Sequence, residues 1–182
     1  MKKSILMSAL AAQATFGAEA AEPVSADFEA THLRHSGTVR VDASPRESFQ
    51  LFTAPGEKLW AAGWNPEVLH GGDGRQKGAV FVTTHGDEET LWLVVDFDPE
   101  AFHVRYARIT PSARAGSVEV RVRSDGHGGS LAQVTYQLTA LNEAGNRQLA
   151  EFDSERYARM MVEWEDAISA ADIDYRLLTG DR

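Results

Sequence analysis

Hydrophobic and polar residues alternate along the middle of the chain, a period typical of β-strands with one covered and one solvated face. The pattern is clearest in the segment 117–124, SVEVRVRS, where valines alternate with Glu and Arg. Strands are also predicted at residues 31–41, 67–70, 79–85, 89–98, 102–110 and 131–141. Short links rich in Gly, Pro and Asp separate most of them, which favours antiparallel neighbours joined by turns.

Two short helical segments are predicted directly after the first strand. Ser44 has the features of an N-cap, Pro45 occupies the first helical position, and Glu47 completes a capping box. The second segment, 55–64, reads PGEKLWAAGW and breaks at Gly63.

The hydrophobic period changes near the C-terminus. From about residue 146 to 178, apolar residues recur at helical spacing and predict one long amphipathic helix. They are Leu149, Phe152, Met160, Met161, Trp164, Ile168 and Ala171. A sheet with one solvated face needs a cover for the other, and this helix is the only element large enough. The sequence therefore predicts an α+β fold in which a curved antiparallel sheet of about seven strands wraps around a long C-terminal helix.

Composition narrows the possible functions. The 182 residues suffice for one domain, which we place at residues 31–178 after a polar linker at 23–30. A formal net charge of −9 without a Lys/Arg cluster excludes a nucleic-acid footprint. The chain has no cysteine, so neither a thiol nucleophile nor a thiolate metal site is available.

The N-terminal residues 1–22 follow the order of a secretory signal. Lys2 and Lys3 precede an apolar run at residues 5–12, and Ala18-Glu19-Ala20 has the small-x-small form of a cleavage site. If this signal is used, the mature chain is exported to a compartment such as the periplasm and has no membrane insertion after processing. The alternative is a disordered or loosely helical extension on a cytoplasmic protein.

The element order and two local signatures resemble the START-like, or SRPBCC, superfamily over residues 32–172. The signatures are VRVDASPRESFQLFTAPGEKLWAAGW and YARMMVEWEDAI. Among its branches, the sequence is most similar to the polyketide cyclase/dehydrase-like one. The resemblance implies a helix-grip fold with a cavity between sheet and helix that holds a hydrophobic or amphipathic small molecule. Members of this superfamily include enzymes, carriers and co-chaperones.

An aromatic cluster supplies the candidate ligand-binding residues. The expected topology directs these side chains into one volume: Trp60, Trp64, Phe81, Trp92, Tyr106, Tyr136, Met160 and Trp164. Apolar walls with a few polar groups are typical of ligand pockets. The alternative is that the cluster only fills the core, and the sequence favours Trp60 as core and Trp64 as the lip of the pocket.

Catalytic signatures are sparse. Asp96 follows Trp92 and Val94 on one strand face, and a carboxylate carried into the cavity there could act as a base. The favoured alternative is that Asp96 and Asp98 only mark the end of the strand before the turn at Pro99. His70 is the second candidate, and Arg156 could orient a ligand. No histidine has the spacing of a metal ligand pair, and no nucleotide loop is present, so the sequence predicts neither a metal nor another cofactor.

The leading hypothesis is a non-catalytic binder or carrier of a hydrophobic or amphipathic small molecule. A cyclase/dehydrase- or hydrolase-type enzyme is the alternative, and it requires a polar pair at the end of the pocket. A chaperone-interacting module comes third, because no exposed apolar stripe is expected on the outer faces of the strands. The oligomeric state stays open.

Overall fold

A computed structural model describes residues 28–111, 113–175 and 178; the predicted signal at 1–22 lies outside them. Seven strands are present: β1 His32–Val41, β2 Glu67–His70, β3 Val80–His85, β4 Glu88–Asp98, β5 His103–Thr110, β6 Arg114–Ser124 and β7 Ser130–Ala140. The helices are α1 Pro45–Gln50, a 3-10 helix Glu57–Leu59, α2 Glu143–Glu151 and α3 Ser154–Ala170.

The seven strands form one sheet in the order β1-β7-β6-β5-β4-β3-β2. Every neighbouring pair is antiparallel. From β2 to β7 each strand pairs with the next strand in sequence, as the short links predict, and β1 closes onto β7. The predicted helix-grip architecture is confirmed.

The start of α1 is also confirmed. The Ser44 side chain accepts from the backbone of Glu47, the Glu47 carboxylate accepts from the Ser44 backbone, and Pro45 opens the helix. This reciprocal cap satisfies donors that a helix of only six residues would otherwise leave free.

The inner face of the sheet carries the core. On β6, Val118, Val120 and Val122 are almost fully buried, whereas the side chain of Arg121 on the opposite face is 58% exposed. The alternation in the sequence therefore reports the two faces correctly.

The outer face is less polar than the sequence suggested. Leu93 and Val95 on β4 are exposed. Val82, Leu91 and Ile109 are half-buried beside them and are matched across β3, β4 and β5 in the register. The expectation that the outer faces carry no apolar stripe was wrong. Strand β4 has apolar residues at its outward-facing positions as well as at its inward-facing ones.

The predicted C-terminal helix is divided into two. α2 ends at Glu151 with Phe152 as its C-cap, and the chain is extended at Asp153. The Asp153 side chain accepts from the backbone N–H of Arg156 and so begins α3 with a new N-cap. α3 then ends at Ala170, so the continuous helix expected over 146–178 was wrong at the break and beyond Ala170.

Helix α3 packs closely against β1. A Cβ on Gly37 would lie 2.6 Å from Met161 Cγ and 3.1 Å from Tyr157 Cε1, so only glycine allows this approach. The Tyr157 hydroxyl donates to the carbonyl of Val134 over 2.8 Å and ties the helix to β7. No helix in the described part of the chain is long and apolar enough to cross a membrane.

Candidate functional site

A cavity of about 1020 Å³ lies between the inner face of the sheet and the helices. Strands β3 to β7, the segment from Glu57 to Trp64, and helices α2 and α3 all contribute to its wall. Helix α3 packs on β1 and α2 packs on β7, so the cavity lies over the strands from β3 to β7.

Four aromatic side chains form one wall. Phe81 and Trp92 occupy matched positions on β3 and β4, and their rings stack with centroids 5.9 Å apart. Tyr106 on β5 stands edge-on to both rings at 6.0 Å. Trp64 meets Trp92 edge to face at 5.5 Å. These offset and perpendicular contacts are the geometries that aromatic rings prefer, so the wall holds its shape without a ligand.

The polar atoms of this wall are bonded within the protein. Trp64 Nε1 donates to the carbonyl of Ala54 over 2.8 Å, and Trp92 Nε1 donates to Thr83 Oγ1 over 2.9 Å. The Tyr106 hydroxyl donates to the carbonyl of Phe52 over 3.1 Å. The rings therefore offer mainly their carbon faces to a ligand.

The structure brings most of the predicted ligand-binding residues to the cavity. Those on its wall are Trp64, Phe81, Trp92, Tyr106, Tyr136, Met160 and Trp164. Trp60 lies behind the wall, where it is buried against Phe52 and Trp164 and donates to the carbonyl of Leu51. Ligand contact by these residues stays a prediction.

Neither predicted catalytic candidate borders the cavity. His70 is exposed at the end of the short strand β2. The register of β4 against β5 shifts between Val94 and Asp96, which shows a β-bulge. The bulge places Phe97 rather than Asp96 on the inner face, where it contacts Phe49.

Asp96 instead contacts His103 on the outer face. Asp96 Oδ2 lies 3.2 Å from His103 Nδ1, and the Asp96 side chain is 46% exposed. Asp96 therefore does not follow Trp92 and Val94 into the cavity, because strand parity is lost at a bulge, and its place near the end of β4 agrees with the alternative favoured from the sequence.

Arg156 lies at the cavity wall near the start of α3. Its backbone N–H is held by the N-cap Asp153. The structure is thus compatible with the orienting role predicted for its side chain, which stays a prediction.

Sequence reasoning missed a carboxyl group inside the cavity. Glu57 in the 3-10 helix lines it, and burial raises the pKa of this carboxyl to about 8. Glu57 is half-buried, yet enough protein surrounds the carboxyl to favour its neutral form. Glu57 precedes Trp60 and Ala61 by three and four positions, so helical spacing from a predicted core residue was the available signal.

Two tyrosines lie near this carboxyl. Burial, then the charge of Glu57, raises the pKa of Tyr106. Burial also raises the pKa of Tyr136 to about 12, an effect that Arg108 opposes and Glu57 reinforces. The pKa of the Tyr136 hydroxyl therefore depends on both Glu57 and Arg108.

Arg108 is the second missed group. Its guanidinium carbon lies 5.4 Å from the Trp92 ring centroid and 5.9 Å from that of Tyr136. The signal was strand parity, because Val104, Tyr106 and Arg108 share one phase of β5 and the first two are buried.

Two cavity-lining charges are paired at the edge of this space. Arg114 Nη2 lies 2.6 Å from Glu88 Oε2, and Arg114 also donates to Gln148 on α2. This group connects the starts of β4 and β6 to α2. Across the described ranges, no cluster of three or more His, Cys, Asp or Glu residues could hold a metal ion.

Comparison with known proteins yields likeness in structure only. No family profile and no curated protein matches the sequence. A truncated norcoclaurine synthase from Thalictrum flavum superposes with a TM-score of 0.58 at 13% identity, covering 85% of this chain and 98% of the other.

Two further structures superpose at similarly low identity. An uncharacterized protein from Rhizobium leguminosarum matches with a TM-score of 0.57 at 14% identity, covering 78% of this chain and 97% of the other. The major latex-like protein 151 from Panax ginseng matches with a TM-score of 0.51 at 15% identity, covering 74% and 95%. These likenesses show the helix-grip fold.

Proposed function

We propose that this protein binds or carries a hydrophobic or amphipathic small molecule in the cavity between its sheet and α3. The observation that carries the proposal is a cavity of about 1020 Å³ with an aromatic wall. Ligand pockets commonly have volumes of roughly 300–1,000 Å³, so this one suits a molecule with several fused rings or a long apolar chain. We also propose that the chain belongs to the START-like superfamily and, within it, to the polyketide cyclase/dehydrase-like branch.

The physical driving force is burial of the ligand's apolar surface. Each Å² removed from water contributes about 25 cal/mol, before the cost of immobilising the ligand is subtracted. The wall needs little reorganisation, because its rings already pack on one another and their polar atoms are already bonded.

Nile red, a neutral lipophilic dye, tests this proposal directly. We expect its fluorescence to rise on binding and the rise to weaken in Val118→Phe, which adds bulk to the cavity wall. Val162→Phe is the matched control, because Val162 is 61% exposed on α3. Native mass spectrometry of protein from its source would then show a co-purified ligand. An empty cavity together with no dye binding would contradict the proposal.

An enzymatic function is the second candidate, and Glu57 is the observation that favours it. A carboxyl with a pKa of about 8 can both accept and release a proton near neutral pH, as general acid–base chemistry requires. One structural neighbour, a norcoclaurine synthase mutant from Thalictrum flavum, is an enzyme in complex with a transition state analogue. Here Glu57, rather than Asp96 or His70, would supply the polar group in the pocket.

Turnover of naphthyl acetate and of a linear poly-β-ketone tests the enzyme candidate. Activity that is lost in Glu57→Gln, while Nile red binding is retained, would support it. Absence of turnover by the wild type, or full activity in the variant, would leave the binder as the function.

The outer-face strip around Leu93 and Val95 keeps the chaperone-interacting alternative open for test. We expect a chaperone partner, if there is one, to co-purify with the wild type and to be lost in Leu93→Lys. Unchanged co-purification in the variant would remove this alternative.

Export remains a proposal that rests on the N-terminal sequence. Sequencing the native protein's N-terminus tests it: a start near Ala20 would support export, and a retained Met1 would support the cytoplasmic alternative.

A further inference from the structure

Arg108 is a buried cation on the inner face of β5. It pairs in register with Trp92 on β4 and with Gly116 on β6, so it lies in the middle of the sheet. Its side chain lines the cavity, and burial lowers the pKa of the guanidinium. Arginine stays charged even so, which means that a positive charge stands beside the aromatic rings of the cavity wall.

The guanidinium has ring neighbours but no hydrogen-bond acceptor. It lies over Trp92 and Tyr136, and such contacts stabilise the charge through the ring faces. They leave the N–H groups without acceptors. Arg108 Nε is buried and unbonded, and no residue in the described part of the chain forms a hydrogen bond or ion pair with this side chain.

The acids of the cavity do not fill this role. Glu88 is committed to Arg114, with Oε2 2.6 Å from Nη2. Glu57 keeps its proton in neutral solution, because burial raises its pKa to about 8. Glu88 acts on Arg108 only as a nearby charge, and Glu151 is exposed, so no carboxylate of the described residues forms an ion pair with Arg108, although buried charges in proteins are normally paired.

We propose that Arg108 is the anion anchor of the cavity and that the ligand is a lipophilic carboxylic acid bound as its carboxylate. This inference rests on the proposed binding function. The planar guanidinium matches the two oxygens of a carboxylate, and a paired interaction of this kind is strong where water is excluded. The Tyr136 hydroxyl makes no hydrogen bond within the described residues, so it is free to add a donor beside Arg108.

The surroundings favour a singly charged group on an apolar body. A phosphate dianion would bring two charges to Arg108, because the neighbouring Arg114 is already paired with Glu88 and Arg156 lies on α3 rather than on the sheet. The aromatic faces of Phe81, Trp92 and Tyr106 lie along the same wall and would cover a flat hydrocarbon. An aromatic or polycyclic acid satisfies both parts of the site.

Displacement of Nile red by two matched probes tests the inference. Anthracene carboxylate and anthracene carboxamide share one ring system and differ in charge. At neutral pH we expect the wild type to bind the carboxylate at least about tenfold more tightly than the carboxamide, since hydrogen bonds between charged groups contribute more than neutral ones.

Arg108→Met removes the charge while keeping a flexible apolar side chain of similar length. We expect it to lose the preference for the carboxylate and to retain both Nile red and the carboxamide. Arg105→Met is the matched control, because Arg105 is exposed and belongs to the opposite phase of the same strand. Arg108→Lys keeps the charge but not the paired geometry and should retain part of the preference.

The outcomes separate the two proposals. Equal affinity of the wild type for both probes, or an undiminished preference in Arg108→Met, overturns the anion anchor and leaves the binding function intact. Failure of the wild type to bind Nile red and both probes overturns the binding function and the anchor with it. Retained Nile red binding shows that Arg108→Met still folds.

Discussion

The indole rings of Trp60 and Trp164 meet edge to face, with centroids 5.2 Å apart and planes at 63°. This contact joins the segment after α1 to helix α3, two elements that lie far apart in the sequence. Trp60 faces the core and Trp164 faces the cavity, so the pair connects the stability of the fold to the position of the cavity wall.

We predict a measurable coupling between these two rings. In a double-mutant cycle with Trp60→Leu and Trp164→Leu, the coupling free energy should be about 0.5–1.5 kcal/mol, the range for aromatic pairs. Urea denaturation of the four proteins measures it. Trp60→Leu combined with Val162→Ala, an exposed site on α3, should be additive. Additivity of the Trp60 and Trp164 substitutions would contradict the prediction.

Trp64 and Trp60 should separate binding from stability. Trp64 is half-buried on the cavity wall, whereas Trp60 is only 8% exposed behind it. We expect Trp64→Ala to weaken Nile red binding by roughly tenfold, from lost apolar and aromatic contact. Trp60→Ala should cost about 3–5 kcal/mol of folding free energy, and Trp64→Ala less. A larger stability loss in Trp64→Ala than in Trp60→Ala would reverse this assignment.

Glu57 should make the unliganded protein less stable as the pH rises. The folded state holds its proton up to a pKa of about 8, whereas the unfolded state releases it near the ordinary value of 4.5. Between these values the folded chain binds more protons, so stability falls with pH, by at most about 1.4 kcal/mol per pH unit. Above a pH of about 8, Glu57 adds no further pH dependence to the stability. Below a pH of about 4.5, its full contribution to stability is present.

Urea denaturation at about pH 5 and about pH 8 checks this sign, which follows from proton linkage. Glu57→Gln should lose less stability over that interval than the wild type. Glu67→Gln is the control, because Glu67 is exposed on β2 and should behave as the wild type does. The same loss in Glu57→Gln as in the wild type would show that another group is responsible.

Gly37→Ala should destabilise the contact between β1 and α3. The new methyl carbon would lie 2.6 Å from Met161 Cγ, so helix or strand must shift, at a cost of about 1–3 kcal/mol. Thermal denaturation measures the loss. Met161→Ala removes the obstructing atom, so Gly37→Ala should cost less in that background. An equal cost in both backgrounds would place the strain elsewhere.

Local pattern was enough to predict the frame of the molecule. The valines of β6 occupy every second position, and the Ser44 cap depends only on residues 44–47. Both features depend only on neighbours in sequence. Together with the short links between strands, they determine the antiparallel order of the sheet.

The candidate role of Asp96 in the cavity and the prediction of one continuous C-terminal helix both failed at places where a single residue changes the backbone geometry. The bulge after Val94 reverses the phase of β4, and no turn residue there announces it. At Asp153 an N-cap interrupts a helical pattern whose apolar spacing continues across the break. The spacing of apolar residues reveals neither the bulge nor the N-cap, because both are defined by backbone hydrogen bonds.

The charged groups of the cavity escaped prediction for another reason. Arg108 and Glu57 were visible as polar residues in the apolar phase of their elements. Their importance depends on the absence of partners and on the surrounding rings, and both are properties of the folded chain. The aromatic wall was easier to predict because apolar residues report their burial directly.

The internal hydrogen bonds of Trp64, Trp92 and Tyr106 have a consequence for selectivity. A ligand body that slides along these rings breaks no polar contact and can gain none, so the wall discriminates by thickness and outline alone. Ring systems that differ in substitution but share a flat profile should be accepted almost interchangeably. On the proposed binding function, chemical discrimination is left to the polar groups of Arg108, Tyr136 and Glu57, so we expect strict selection at one end of the ligand and broad tolerance at the other.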